Sequence, residues 1–207
     1  MGTRFTQRIA DELQGAGLPF LAFAVVLNLA LGQITSALKI PFYMDMVGTV
    51  LVAVLCGPWS AMIAGVLSNI LAAFVGNPTM MFFIPVVLAI ALFTAFLARR
   101  GWFRRISLVV VGGILQGVVA AVLSAPIAAY LFGGVMFSGT DFLVLYFRSV
   151  GNSLLESVFF QGLASDPVDK TVTYVIVFLV IRSLPVRLVS RFNGAANVLP
   201  RAPSGPS

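Results

Sequence analysis

Apolar runs separated by short polar breaks organise almost the whole chain. A helix that crosses a bilayer needs about 20 mostly apolar residues, within a range of roughly 17–25. Pro19–Leu38 meets that requirement, and Lys39, Ile40 and Pro41 end it. The run from Phe42 to Val75 is too long for one crossing, and Gly57-Pro58 divides it into Phe42–Cys56 and Trp59–Val75. Gly76-Asn77-Pro78 is the next turn. Thr79–Ala98 and Ile106–Phe132 follow as the fourth and fifth spans, the latter with Pro126 expected to kink it or shorten its end. Thr171–Ser190 is the sixth. Between the last two, Asp141–Ala164 has a different pattern. Arg148, Asn152 and Glu156 recur at a four-residue interval beside Ser149, Ser153, Ser157 and Gln161. Phe142, Leu145, Tyr146, Leu154, Leu155, Val158 and Phe159 take the other face. That face is too polar for a seventh crossing, and the segment reads as an amphipathic helix, interfacial or folded back into the bundle. The expected fold is therefore an all-α, polytopic membrane protein: six transmembrane helices with an additional amphipathic outer-side helix between the fifth and sixth spans. Residues 1–18 form a cytoplasmic N-terminal segment, 19–192 the membrane domain, and 193–207 a disordered cytoplasmic tail rich in Pro, Gly, Ser and Ala.

Composition agrees and narrows the function classes. The 207 residues are 59% hydrophobic and 10% charged, with a mean hydropathy of +1.03, whereas soluble domains carry about 25% charged residues. There is no histidine and a single cysteine, Cys56, which argues against catalytic triads, disulfide frameworks and Cys- or His-based metal sites. The expectation is a protein that is not an enzyme, with no catalytic residues, no metal site and no cofactor. The net charge of +6 reflects orientation in a lipid bilayer and not nucleic-acid binding, because the basic residues sit at the ends of apolar runs. Arg4, Arg8, Arg99, Arg100, Arg104, Arg105, Arg182, Arg187, Arg191 and Arg201 fall on one side of a six-span layout. Only Lys39, Arg148 and Lys170 fall on the other. This asymmetry places both termini in the cytoplasm. Asp11 and Glu12 occupy the place where a cleaved signal peptide would have its apolar stretch. The preference for Arg over Lys fits a GC-rich bacterial genome and indicates nothing more; the expected location is a bacterial cell (inner) membrane.

Polar residues inside the apolar runs mark two regions. Counted at about 1.5 Å per residue, Asn28, Asn69 and Gln116 each lie near the bilayer midplane. They either bond helix to helix or line the floor of a polar cavity. Towards the outer side, polar and aromatic residues interleave, as small-molecule binding requires. The candidate substrate-binding residues are Phe42, Tyr43, Asp45, Asn77, Gln116, Tyr146, Arg148, Asn152 and Glu156. Asp45 also sits where a helix cap would. Small residues recur every fourth position in span three (Gly57, Ala61, Gly65, Asn69, Ala73) and span five (Gly113, Gly117, Ala121, Ala125). Such rows serve close packing within the chain or docking of another membrane protein. No Gly-x-x-x-x-Gly-Lys-Ser/Thr loop, intramembrane carboxylate relay or inverted repeat is evident, so an autonomous pump fits less well than a binding subunit energised by partners.

The order Ile40-Pro41-Phe42-Tyr43-Met44-Asp45-Met46-Val47-Gly48-Thr49, Gly57-Pro58, Leu67-Ser68-Asn69 and Gly76-Asn77-Pro78 resembles the substrate-binding S components of energy-coupling factor (ECF) transporters. So do Ser124-Ala125-Pro126, Gly151-Asn152-Ser153, Asp166-Pro167-Val168-Asp169-Lys170 and Leu184-Pro185, and the likeness runs from about residue 18 to 192. The resemblance implies six helices with cytoplasmic termini and an outward-facing site for a vitamin, vitamin precursor or related heteroaromatic compound. It implies as partners a membrane coupling protein and two cytoplasmic ATPase subunits. It places the site at the Pro41–Asp45 loop, the Gly76–Thr79 turn and the segment after span five. The chain departs from the family at the Ala-x-x-x-Ala pair expected on the first helix, where only Gly32-x-x-x-Ser36 has the spacing, so the span-three row is the substitute docking face. A non-transporting membrane sensor or assembly subunit is the alternative function.

Overall fold

The computed structural model describes residues 10, 12, 13, 15, 17–136 and 138–199. Arg4, Arg8, Asp11, Phe137, Arg201 and the tail beyond Leu199 lie outside them. Among the described residues the fold is entirely helical: α1 Leu18–Ala37, α2 Val47–Leu55, α3 Pro58–Val75, α4 Ile84–Arg99, α5 Ile106–Phe132, α6 Asp141–Ser149, α7 Leu154–Ser183, α8 Val186–Val189 and α9 Ala195–Val198. Short 3₁₀ turns at Pro78–Phe83 and Trp102–Arg104 precede α4 and α5.

Among the described residues, four helical stretches are long and apolar enough to cross a membrane: Leu18–Ala37, Pro58–Val75, Pro78–Arg99 and Ile106–Phe132. Their surfaces agree. Phe23, Val26, Leu71, Phe74, Leu92, Phe96 and Val122 face outward, while Asn28, Ser68, Asn69, Thr94 and Gln116 are buried. A water-soluble bundle hides its large apolar side chains; this one exposes them and hides amides and hydroxyls, as a helical membrane protein does.

The two ends of the bundle differ. At the basic end, Arg182 donates to the Arg104 carbonyl (2.7 Å), and the Gly194 N–H donates to the Leu55 carbonyl (2.7 Å) at the end of α2. There Glu12 accepts the Ser60 N–H at 2.9 Å, capping the start of α3. Residues 193–199, expected to be part of a disordered tail, instead form a turn and α9, because their backbone and Asn197 cover the last carbonyls of α2.

Two stretches depart from the expected layout. Phe42–Cys56 is not one helix. Residues 42–46 run back into the bundle without helical bonding, and α2 begins only at Val47, deep beside α1. The Gly48 N–H donates to Asn28 Oδ1 (2.7 Å), and a Cβ on Gly48 would lie 2.1 Å from the Ala24 carbonyl oxygen, so only glycine permits this approach. α5 keeps its expected bounds, Ile106–Phe132, with Pro126 inside it. The second departure is the larger. Asp141–Ala164 is split, because Gly151 (φ +97°) breaks α6, and Ser153 with Glu156 forms a capping box that starts α7. That helix then runs unbroken for 30 residues to Ser183, about 45 Å. It absorbs Asp166–Lys170 and displaces the expected Thr171–Ser190 span; Pro185 follows its end.

The small-residue rows are consumed inside the chain. A Cβ on Gly113 would meet the Thr171 backbone at 2.5 Å, and one on Gly117 the Pro167 backbone at 2.3 Å, which sets α5 and α7 in close contact. Ala61 and Ala64 are fully buried, and Gly65 faces Val87 and Thr49. The expected span-three docking face therefore packs against α2 and α4.

A candidate ligand-binding cavity

The unwound segment before α2 leaves a gap that no helix fills. A cavity of about 860 Å³, its open mouth included, lies between α1, residues 40–45, α3, the Gly76–Met80 turn and the loop at Met136–Thr140. It opens at the end of the bundle opposite the basic one. A second lobe of about 690 Å³ lies towards α4, α5 and α7. The two share Tyr43, Asp45, Asn69, Met80 and Met136, so they adjoin across the segment before α2.

Asn28 forms the floor of the first lobe. Its amide donates to Thr49 Oγ1 (2.9 Å) and Ser68 Oγ (3.0 Å), and its oxygen holds the Gly48 N–H. The two roles left open for it, helix bonding and cavity floor, are thus both filled by one side chain. Asn69 lines both lobes and donates to the Met80 carbonyl (2.9 Å), tying α3 to the turn after it. Asn77 caps that turn by accepting from the Thr79 N–H (3.3 Å) and hydroxyl.

The dividing segment is fastened from three directions. The Tyr43 carbonyl accepts from Thr35 Oγ1 (2.8 Å). The Tyr43 phenol pairs with Thr140 Oγ1 (2.9 Å) and accepts from Gln161 Nε2 (3.3 Å). The N–H groups of Tyr43 and Met44 donate to Asp169 Oδ1 at 3.1 and 2.9 Å. These bonds replace the helical ones that residues 42–46 lack, which satisfies buried backbone donors and holds Met44 at φ +52°.

A charged group crosses the bundle at this level. Lys170 pairs with Asp169, lies 3.9 Å from Asp45 and sits over the Tyr43 ring at 5.8 Å from its centroid. Asp166, one turn earlier on α7, lines the second lobe. Its nearest hydroxyl is Ser165 Oγ at 3.5 Å.

Of the sequence-predicted residues, Phe42, Tyr43, Asp45 and Asn77 line the cavity. Gln116 does not: its side chain is buried between α4, α5 and α7, accepting from Tyr174 Oη (3.0 Å) and Thr94 Oγ1 (3.5 Å). Tyr146 and Arg148 are exposed on α6. Asn152 donates to the nearby Phe147 carbonyl (3.1 Å), and Glu156 accepts the Ser153 N–H (2.8 Å). These four do not line either lobe, because the break at Gly151 ends the stripe that would have aligned them. Gln161, Asp166 and Lys170 take their place. Their signal was the i, i+3, i+4 spacing of Asp166, Asp169 and Lys170, which puts three charges on one side of a helix. Dense charge beside Pro167 reads instead as a loop.

Comparison of the chain with protein-family models, curated proteins and solved structures returns no match.

Proposed function

We propose that this chain is the substrate-binding S component of an ECF-type importer, taking up a vitamin, vitamin precursor or related heteroaromatic compound across a bacterial cell membrane. One observation carries the reading: an otherwise apolar bundle holds a cavity with polar and aromatic lining residues, open at the end away from the Arg99–Arg105 and Arg182–Arg191 clusters. Sites for small molecules combine apolar walls with a few directed polar groups, and the lining of this cavity has that make-up.

In this reading the basic end is cytoplasmic, by the asymmetry of arginine and lysine. The chain then crosses six times, through α1, the unwound segment with α2, α3, the Pro78–Arg99 stretch, α5 and α7. The short α6 lies on the outer side, and the cavity faces outward. The chain has no nucleotide-binding loop, so energy comes from partners: a membrane coupling protein and two cytoplasmic ATPases. It performs no chemistry on its substrate.

Reconstitution tests this. The purified chain alone in proteoliposomes should retain its co-purifying small molecule without concentrating it, and uptake against a gradient should appear only when a coupling protein and ATPase pair are added with ATP. Concentrative uptake by the chain alone would overturn the assignment.

A further inference from the structure

We infer that the ligand is a cation, a ring compound bearing a protonated or quaternary nitrogen, held between Asp45 and Asp166. This rests on the assignment of the cavity as the substrate site and narrows its substrate class.

The inference follows from which carboxylates are already satisfied. Asp169 is fully buried and fully used: one oxygen takes two backbone N–H groups and the other pairs with Lys170. Lys170 is the sole basic side chain among the cavity-lining residues, and Asp169 is its close partner. Asp45 lies 3.9 Å from Lys170, beyond hydrogen-bond reach. Asp166 is 5% exposed, makes no ion pair within 4 Å among the described residues, and has one weak 3.5 Å hydroxyl contact on Oδ1. Among the described residues no hydrogen bond reaches its Oδ2. Three carboxylates thus share one ammonium. The N-terminus of α2 adds about half a positive charge beside Asp45, too little to balance them.

A buried carboxylate without a partner is costly, and a cation with N–H donors entering the second lobe supplies a partner to Asp166 and a closer one to the partly exposed Asp45. The walls suit such a guest. Phe83 and Tyr43 line it with aromatic rings, and Met80 and Met136 with polarisable thioethers. A bare metal ion fits less well, since no group of three or more His, Cys, Asp or Glu among the described residues is placed to hold one. An anionic ligand would face the same carboxylates and be repelled.

The test uses the full chain in nanodiscs of uncharged lipid, incubated with an equimolar mixture of water-soluble vitamins and precursors that includes cationic, neutral and anionic members. Native mass spectrometry identifies the retained compound, and calorimetric titration measures it. The expected compound is cationic at the assay pH. Asp166→Asn should weaken it about tenfold to a hundredfold, as for loss of a hydrogen bond to a charged group. Asp45→Asn, on the more accessible side chain, gives the same reading if Asp166→Asn fails to fold. A neutral or anionic retained compound, or wild-type affinity in both variants, overturns the inference and leaves the transport assignment standing. Retention of no compound of any charge, from the mixture or from cells, overturns both.

Discussion

Asp169 holds the backbone of Tyr43, its Oδ1 accepting the Tyr43 N–H at 3.1 Å across 126 residues of sequence. Through that bond a carboxylate on α7 keeps residues 42–46 out of helical form and so keeps the cavity open. The same side chain neutralises Lys170. Removing it should therefore be felt in folding before it is felt in binding. Asp169→Ala leaves two backbone donors and a buried ammonium without their partner, a loss expected to cost about 3–5 kcal/mol. Asp169→Asn, which keeps one acceptor oxygen, should fall between it and the wild type. Thermal unfolding followed by size-exclusion chromatography in detergent reads both. A wild-type melting temperature for Asp169→Ala would show that the segment is held by something else.

Asn28 and Gln116 share a depth but not a role, since Asn28 lines the cavity and Gln116 does not. Asn28→Ala should cost about 1–3 kcal/mol of stability, because the Gly48 N–H is left buried and unpaired, and it should also weaken ligand binding, since Asn28 lines the first lobe. Gln116→Met should change stability alone, its bonds being to Tyr174 and Thr94 away from the cavity. Parallel titrations and melting curves separate the two; a loss of affinity in Gln116→Met with Asn28→Ala binding normally would reverse the assignment.

How far these roles could be read from the sequence depended on the signal each residue carries. The apolar runs and the Gly57-Pro58 and Gly76-Asn77-Pro78 turns place four of the long helical stretches to within a few residues, because hydropathy and turn chemistry are local. The cavity wall at Phe42, Tyr43, Asp45 and Asn77 was legible for the same reason. The unwinding of residues 42–46 was not. It depends on Asp169, which is remote in sequence, and the apolar pattern there suits a helix equally well. Asp166–Lys170 misled in the opposite direction, since charges that pair across a bundle look like a loop until their partners are known. At Asn152 and Glu156, Gly151 and the Ser153 capping box outweighed the four-residue periodicity.

Arg148→Ala, Asn152→Ala and Glu156→Gln should leave ligand affinity unchanged, as none of the three lines either lobe. Glu156→Gln should have a pH-dependent effect on stability instead. Bonds from the Ser153 hydroxyl and backbone lower the Glu156 pKa from its ordinary value of 4.5. A lowered carboxylate pKa stabilises the fold above the unfolded value, and that stabilisation is lost as pH falls through the folded one. The melting-temperature difference between wild type and Glu156→Gln should thus be present at neutral pH and close on acidification below about 4.5. A difference that grows towards acid would contradict the capping role.

The glycine rows make a further prediction. Gly117→Val forces side-chain atoms into the Pro167 backbone, and overpacking of this kind is expected to cost about 1–3 kcal/mol or more. Gly65→Val should likewise disturb folding, through Val87 and Thr49, and not selectively weaken partner assembly. Co-purification with a coupling protein and ATPases, scored beside monodispersity of the chain alone, checks this. A well-folded Gly65→Val that fails only to assemble would return the α3 face to the list of docking surfaces.

The small molecule that co-purifies with the chain, identified by mass spectrometry of an organic extract, can be titrated calorimetrically into wild type, Tyr43→Ala, Asn69→Ala and Arg148→Ala. Tyr43 and Asn69 line both lobes, so their variants should lose affinity by about tenfold or more, while Arg148→Ala binds as wild type. Normal binding in the Tyr43 and Asn69 variants together with loss in Arg148→Ala would place the site on α6 and contradict the cavity as the binding site.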